Sequence, residues 1–201
     1  MPEKPRTLSD LFPRAAEGLT GKGREIFAEA SEVRLRVDRE ARIAEVRCRL
    51  PRLFRKRDLY ALEENLRECY DLKQVRILPR YDSGLFSMEY LSEVLAEAGR
   101  IGIVCHGFFD RYETEGDGEN IVISIPFSRG GLTLLSLAET ARVIEGIIRS
   151  EFDKAVKVEL RQSEDAEQAH AEYMAKQLEK LNASSAAIEE EYERSRSLPE
   201  R

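Results

Sequence analysis

Five arginines, Arg34, Arg36, Arg47, Arg49 and Arg76, occupy polar positions in segments where polar and apolar residues alternate. A second basic run, Arg52, Arg55, Lys56 and Arg57, follows the first two of these segments. Guanidinium and ammonium groups gathered in this way bind phosphate oxygens or carboxylates. The chemistry they imply is recognition of a nucleic-acid backbone or of an acidic partner. No Phe, Tyr or Trp lies among the five strand arginines, so the stacking platform of single-strand binders is missing. The same residues also fit a solvated sheet face balanced by Glu32, Asp38 and Glu45.

Ser128-Arg129-Gly130-Gly131 is a second candidate, because a glycine pair could bring backbone amides to a phosphate. The G-x-x-G spacing of K-homology modules is absent, and a tight strand-to-helix connection is the competing reading. Catalytic patterns are missing. His106 and His170 stand in different segments with no CxxC or HExxH neighbourhood, and no P-loop or GxGxxG occurs. The carboxylates fall in helix faces and turns rather than in paired, apolar-flanked settings. Cys48, Cys69 and Cys105 are odd in number and widely spaced, which reads as reduced core thiols of a cytoplasmic protein. The expectation is a binding unit with no cofactor and no metal. No membrane contact is expected either, since no apolar run approaches the ~20 residues of a spanning helix.

The elements that must carry these residues repeat. Val33, Leu35 and Val37 alternate on one face, as do Ala44, Val46, Cys48 and Leu50 after a polar turn at 39–41, which predicts a half-buried hairpin. Asp58 is positioned to cap a helix whose apolar stripe is Leu59, Leu62, Leu66 and Cys69, and Val75 and Ile77 mark a closing strand. The five arginines then share the sheet face away from that helix.

A second copy follows. Ser87 is placed to cap a helix carrying Leu91, Val94, Leu95 and Ala98 and ended by Gly99. Phe108–Glu115 and Asn120–Pro126 predict a hairpin around Gly116-Asp117-Gly118, with Ile121, Ile123 and Ile125 inward. Ser136-Leu137-Ala138-Glu139 fits a capping box opening a helix with the stripe Leu137, Ala141, Ile144 and Ile148. Val156, Val158 and Leu160 complete the sheet. Both copies close alike: a helix ending in an aromatic-Asp pair, Tyr70-Asp71 or Phe152-Asp153, is followed within a few residues by a strand.

The expected fold class is therefore α+β: two tandem small modules, each of helix, hairpin, helix and strand, over residues 1–81 and 82–162. Residues 163–201 read as a charged helical connector, in which Met174, Leu178, Leu181, Ile188 and Tyr192 recur at near-helical spacing but are interrupted by Asn182, Ser184 and Ser185. Charge divides the copies. Residues 32–80 carry 14 basic and 9 acidic groups, whereas residues 81–160 carry 7 and 14, a difference that favours mutual attraction or different partners.

Several motifs carry a resemblance: Leu11-Phe12-Pro13, the helix opening Arg57-Asp58-Leu59-Tyr60, Gly107-Phe108-Phe109 before the second hairpin, and Ile125-Pro126-Phe127-Ser128-Arg129-Gly130-Gly131 after it. With the charged run beyond Glu164, the chain resembles the N-terminal region of PolC-type DNA polymerase III alpha subunits over roughly residues 8 to 195. The resemblance implies K-homology-like modules and a non-catalytic docking role toward the tau clamp-loader subunit, with DNA as a second candidate partner. The parent polymerase and exonuclease activities would reside outside these residues. None of that family's catalytic carboxylates falls on a position of this chain. Leu8-Ser9-Asp10-Leu11-Phe12 also resembles a sliding-clamp-binding peptide that lacks its leading glutamine, with a plain amphipathic helix start as the alternative.

Overall fold

The computed structural model describes residues 7–16, 18–102, 108–126 and 129–163. Their fold is α+β, and one strand plan occurs twice. Strands β1 (Ser31–Asp38) and β2 (Ile43–Arg49) form an antiparallel ribbon. Helix α4 (Lys56–Cys69) then returns the chain to β3 (Gln74–Arg80), which lies parallel to β2. In the second sheet β4 (Glu113–Gly116) pairs antiparallel with β5 (Asn120–Ile125), and β6 (Lys157–Gln162) lies parallel to β5. The strand orders, β1-β2-β3 and β4-β5-β6, correspond. Helices α1 (Leu8–Leu11), α2 (Pro13–Ala16) and α3 (Gly21–Glu29) precede the first sheet, and α5 (Leu91–Ile101) precedes the second. Helices α6 (Arg129–Leu137) and α7 (Thr140–Phe152) make the second crossover.

Two local details repeat with the topology. Asp71, after the aromatic that caps α4, and Asp153, after the aromatic that ends α7, both adopt left-handed backbone with φ of 52°. Aspartate tolerates that conformation because its short polar side chain can bond locally. In each sheet a crossover-helix glutamate also accepts from the edge strand: the Ile77 amide donates to Glu63 Oε1 at 2.6 Å and the Val158 amide to Glu145 Oε1 at 2.9 Å.

The topology is doubled, but the buried side chains are continuous from one sheet to the other. Their meeting point is aromatic. Phe152 is fully buried, with ring centroids 5.2 Å from Tyr81, 5.2 Å from Phe86 and 5.5 Å from Tyr90. Polar contacts run alongside: Tyr90 Oη donates to the Phe54 carbonyl at 3.0 Å, and the Tyr81 amide to the Glu151 carbonyl at 2.6 Å. Ala44, Val46, Cys48, Val75 and Ile77 are buried as their alternation requires, whereas Val37, at the hairpin tip, is exposed. Burial pushes the Cys48 thiol up to about 12, consistent with an inert core cysteine. Leu8 and Phe12 are buried too, so the segment resembling a clamp peptide is held in the core as a helix start capped by Thr7.

Several local expectations are corrected. Helix α4 opens at Lys56 rather than after Asp58, and its first amide is satisfied from afar, by Glu93 Oε2 of α5 at 2.6 Å. Ser87 makes no side-chain cap; it precedes a 3₁₀ turn, Met88–Tyr90, leading into α5, which runs past Gly99 to Ile101. Phe108, Phe109 and Tyr112 pack against the core instead of pairing, which shortens the predicted strand to Glu113–Gly116. No capping box opens α7: Ser136 belongs to α6, and the residue before α7, Glu139, is left-handed with φ of 50°. That break turns Leu137 out to solvent, while Ile144 and Ile148 remain buried. The connector expected beyond residue 163, together with Cys105, His106 and His170, lies outside the described residues.

The turn at Gly116-Asp117-Gly118 is as its sequence suggests: Asp117 Oδ1 accepts from the amides of Glu119 and Asn120, both at 2.9 Å. Those amides hold the Asp117 carboxyl below its ordinary range. Gly116 has φ of 138°, and a Cβ there would lie 1.9 Å from the Asn120 carbonyl oxygen. Gly116→Ala is therefore expected to destabilise the protein by about 1–3 kcal/mol, read as a lower urea midpoint with an unchanged slope.

Candidate interaction face

Strand alternation places Arg34 and Arg36 of β1, Arg47 and Arg49 of β2, and Arg76 and Arg80 of β3 on the sheet face opposite the buried Val46 and Ile77. The register sets like charges side by side. Arg34 is directly across from Arg47, and Arg49 lies beside Arg80, while Glu45 sits between Arg36 and Arg76. Like charges on neighbouring strands destabilise a sheet unless an opposite charge lies close. Among the described residues, no carboxylate reaches ion-pair distance of Arg34, Arg36, Arg47 or Arg80. Arg49 has only long, exposed pairings, 3.7 Å to Glu32 and 3.9 Å to Asp82. The face is thus a cluster of mostly unneutralised, exposed guanidinium groups.

Arg80 was not among the candidates drawn from sequence. Val75 and Ile77 alone mark the closing strand in the sequence, whereas β3 continues through Pro79 to Arg80. Because the Ile77 amide points outward to Glu63, position 79 shares that outward register, and a missing N–H there breaks no bond to β2. Continued period-two counting from Val75 would have found Arg80.

Other candidates separate from this face. Arg76 is half-buried and turned to Glu97 of α5 at 3.4 Å. Lys56 is not a surface residue: only 2 % exposed, it is ion-paired with the equally buried Glu151 of α7. The N-terminus of α4 is covered there by α5 and α7. Arg55 and Arg57 remain exposed at its rim, and Arg52 is held by Glu25 and Glu29 with its guanidinium 4.5 Å from the Phe54 ring. Arg129, Gly130 and Gly131 form the first turn of α6, so the expected backbone loop is helical there; Ser128 lies outside the described residues.

The charge contrast between the copies is spent partly at their contact. Lys56 meets Glu151, and Arg76 meets Glu97, basic groups of the first sheet's unit against acidic groups of the second. One pair runs the other way, with Arg100 Nη2 donating to Glu63 Oε2 at 2.6 Å. Burial raises the Glu63 carboxyl, opposed by the Ile77 amide and Arg100. Among the described residues, no group of three His, Cys, Asp or Glu side chains could hold a metal ion, and no helix is long and apolar enough to cross a membrane. Neither a known protein family nor a curated protein matches the chain.

Proposed function

We propose that this chain is the non-catalytic N-terminal docking region of a PolC-type replicative DNA polymerase III alpha subunit, holding the tau clamp-loader subunit in the cytoplasm. Three things support the reading: the resemblance across residues 8–195, which implies K-homology-like modules, the doubled arrangement of ribbon, helix and parallel strand, and an exposed face. The observation that carries it is the cross-strand arginine set Arg34, Arg36, Arg47, Arg49 and Arg80. A surface that juxtaposes like charges without compensation suits an anionic partner surface, which steers association and fixes orientation.

The test is titration calorimetry with purified tau subunit. Arg36→Glu combined with Arg47→Glu is expected to weaken binding by about tenfold or more, because like charges then face each other across the contact. Unchanged affinity in the double variant, or no binding by the unaltered chain, overturns the proposal. The paired arginines Arg34/Arg47 and Arg49/Arg80 also favour a second reading, a nucleic-acid adaptor. Duplex binding through these groups should weaken with salt at a log–log slope of about −0.9 per phosphate contact. If the double variant retains DNA as the parent does, that reading falls.

A further inference from the structure

Strand β6 borders the second sheet, and alternate backbone groups along it point away from that sheet. The Lys157 amide donates to the Glu119 carbonyl at 2.7 Å and the Ser163 amide to the Ile125 carbonyl at 2.9 Å, so the odd-numbered residues of β6 face β5. Val158, Leu160 and Gln162 therefore present their amides and carbonyls outward. Glu145 holds the Val158 amide, as Glu63 holds that of Ile77. Two residues further on the sheets part: the first has Pro79, with no N–H, and the second has Leu160. Among the described residues, nothing bonds the Val158 or Leu160 carbonyl or the Leu160 or Gln162 amide. Leu160 is half-buried and lines an open groove of about 490 Å³ with Leu132, Leu135 and Val158. Helix α6, which walls that groove, also exposes Leu134 and Leu137. On the solvent face of the strand Glu159 and Arg161 are exposed and pair with each other at 2.7 Å.

We propose that β6 pairs with β6 of a second copy of this chain, antiparallel about a two-fold axis at Leu160, so that two second sheets join into one. Charge selects the register. With Leu160 opposite itself, Glu159 falls directly across from Arg161 of the second copy, and symmetry repeats the pair. Moving the axis to Glu159 sets Glu159 against itself and Lys157 against Arg161. Moving it to Arg161 sets Arg161 against itself. Both shifts oppose like charges. In the register at Leu160 the outward groups also match: the two Leu160 residues exchange N–H···O bonds, and each Gln162 amide donates to the Val158 carbonyl of the other copy. Glu145 keeps the Val158 amide. On the inner face the Leu160 side chains meet beside the grooves, which removes apolar surface from water. The pairing uses no residue of the arginine face, so it stands or falls apart from the docking role.

Sedimentation equilibrium of the full chain tests this. The parent is expected to form a reversible dimer whose share grows with concentration. Leu160→Pro copies the first sheet at Pro79 and removes the central amide without touching a bond to β5, so it should be monomeric over the same range. Glu159→Arg sets arginines against each other and should weaken the dimer by about tenfold or more. Glu159→Arg/Arg161→Glu exchanges the charges and should restore it. A parent that stays monomeric overturns the proposal, as does a dimer that survives Leu160→Pro or a swapped chain no tighter than Glu159→Arg. The charge variants alter exposed side chains and decide the question whatever proline does to the fold.

Discussion

Replacing Lys56 by methionine is expected to destabilise the protein by about 3–5 kcal/mol, because it strands a carboxylate inside the molecule. Lys56 and Glu151 are 2 % and 5 % exposed, and Glu151 Oε2 accepts no hydrogen bond among the described residues. Burial raises the Glu151 carboxyl, and Lys56 opposes that rise by charge and hydrogen bond. Without the lysine only the raising influence of burial, with some repulsion from Glu97, remains. The sign of the pH effect follows. A carboxyl whose folded-state affinity for protons exceeds its unfolded one costs stability when ionised and stops doing so when protonated. The loss in Lys56→Met should therefore shrink as pH falls from about 8 toward 5. Lys56→Met/Glu151→Leu removes both charges and should recover most of the stability. Urea unfolding of the three chains at several pH values checks this. A double variant as unstable as Lys56→Met would show that the pair matters for more than its own neutrality.

Phe152→Ala should cost a comparable amount, about 3–5 kcal/mol. For a chain of this size that corresponds to a fall in melting temperature of roughly 10 °C. Phe152 ends α7 in the second unit, yet its partners Tyr81, Phe86 and Tyr90 come from the segment joining the two sheets. The truncation therefore opens a cavity at the junction rather than within one sheet. Calorimetry should show the single transition broaden, since coupling between the sheets passes through this cluster. Phe152→Leu, which keeps much of the volume, should lose less than half as much. A change of under about 1 kcal/mol in Phe152→Ala would mean that the junction repacks freely.

The strands were legible in the residues because alternation reports which face is covered, and Ala44, Val46, Cys48, Ile121, Ile123 and Ile125 behave accordingly. The aromatic-Asp helix endings were legible for a similar reason, since the left-handed position tolerates few residue types. What failed was decided at long range. Lys56 reads as part of a basic run, and only Glu151, 95 positions away, makes it a core residue. Asp58 has the chemistry of a cap, but Glu93 holds the helix start. At Glu139 the local pattern suggested one helix, while the backbone turns left-handed and makes two. The arginine face was readable except for Arg80, which lies beyond Pro79 and past the Val75 and Ile77 that mark the closing strand.

That proline has a further effect. Sheets with open edges can recruit strands from other molecules and grow into fibrils. On the first sheet an intruding strand would meet no donor at Pro79 and an occupied donor at Ile77, where Glu63 already sits. The opposite border, β1, is interrupted by an irregular register between Ser31 and Arg34, with Glu32 at φ of 50°. Both margins of this sheet are thus poor templates, and a basic face that solicits company can stay exposed without inviting polymerisation.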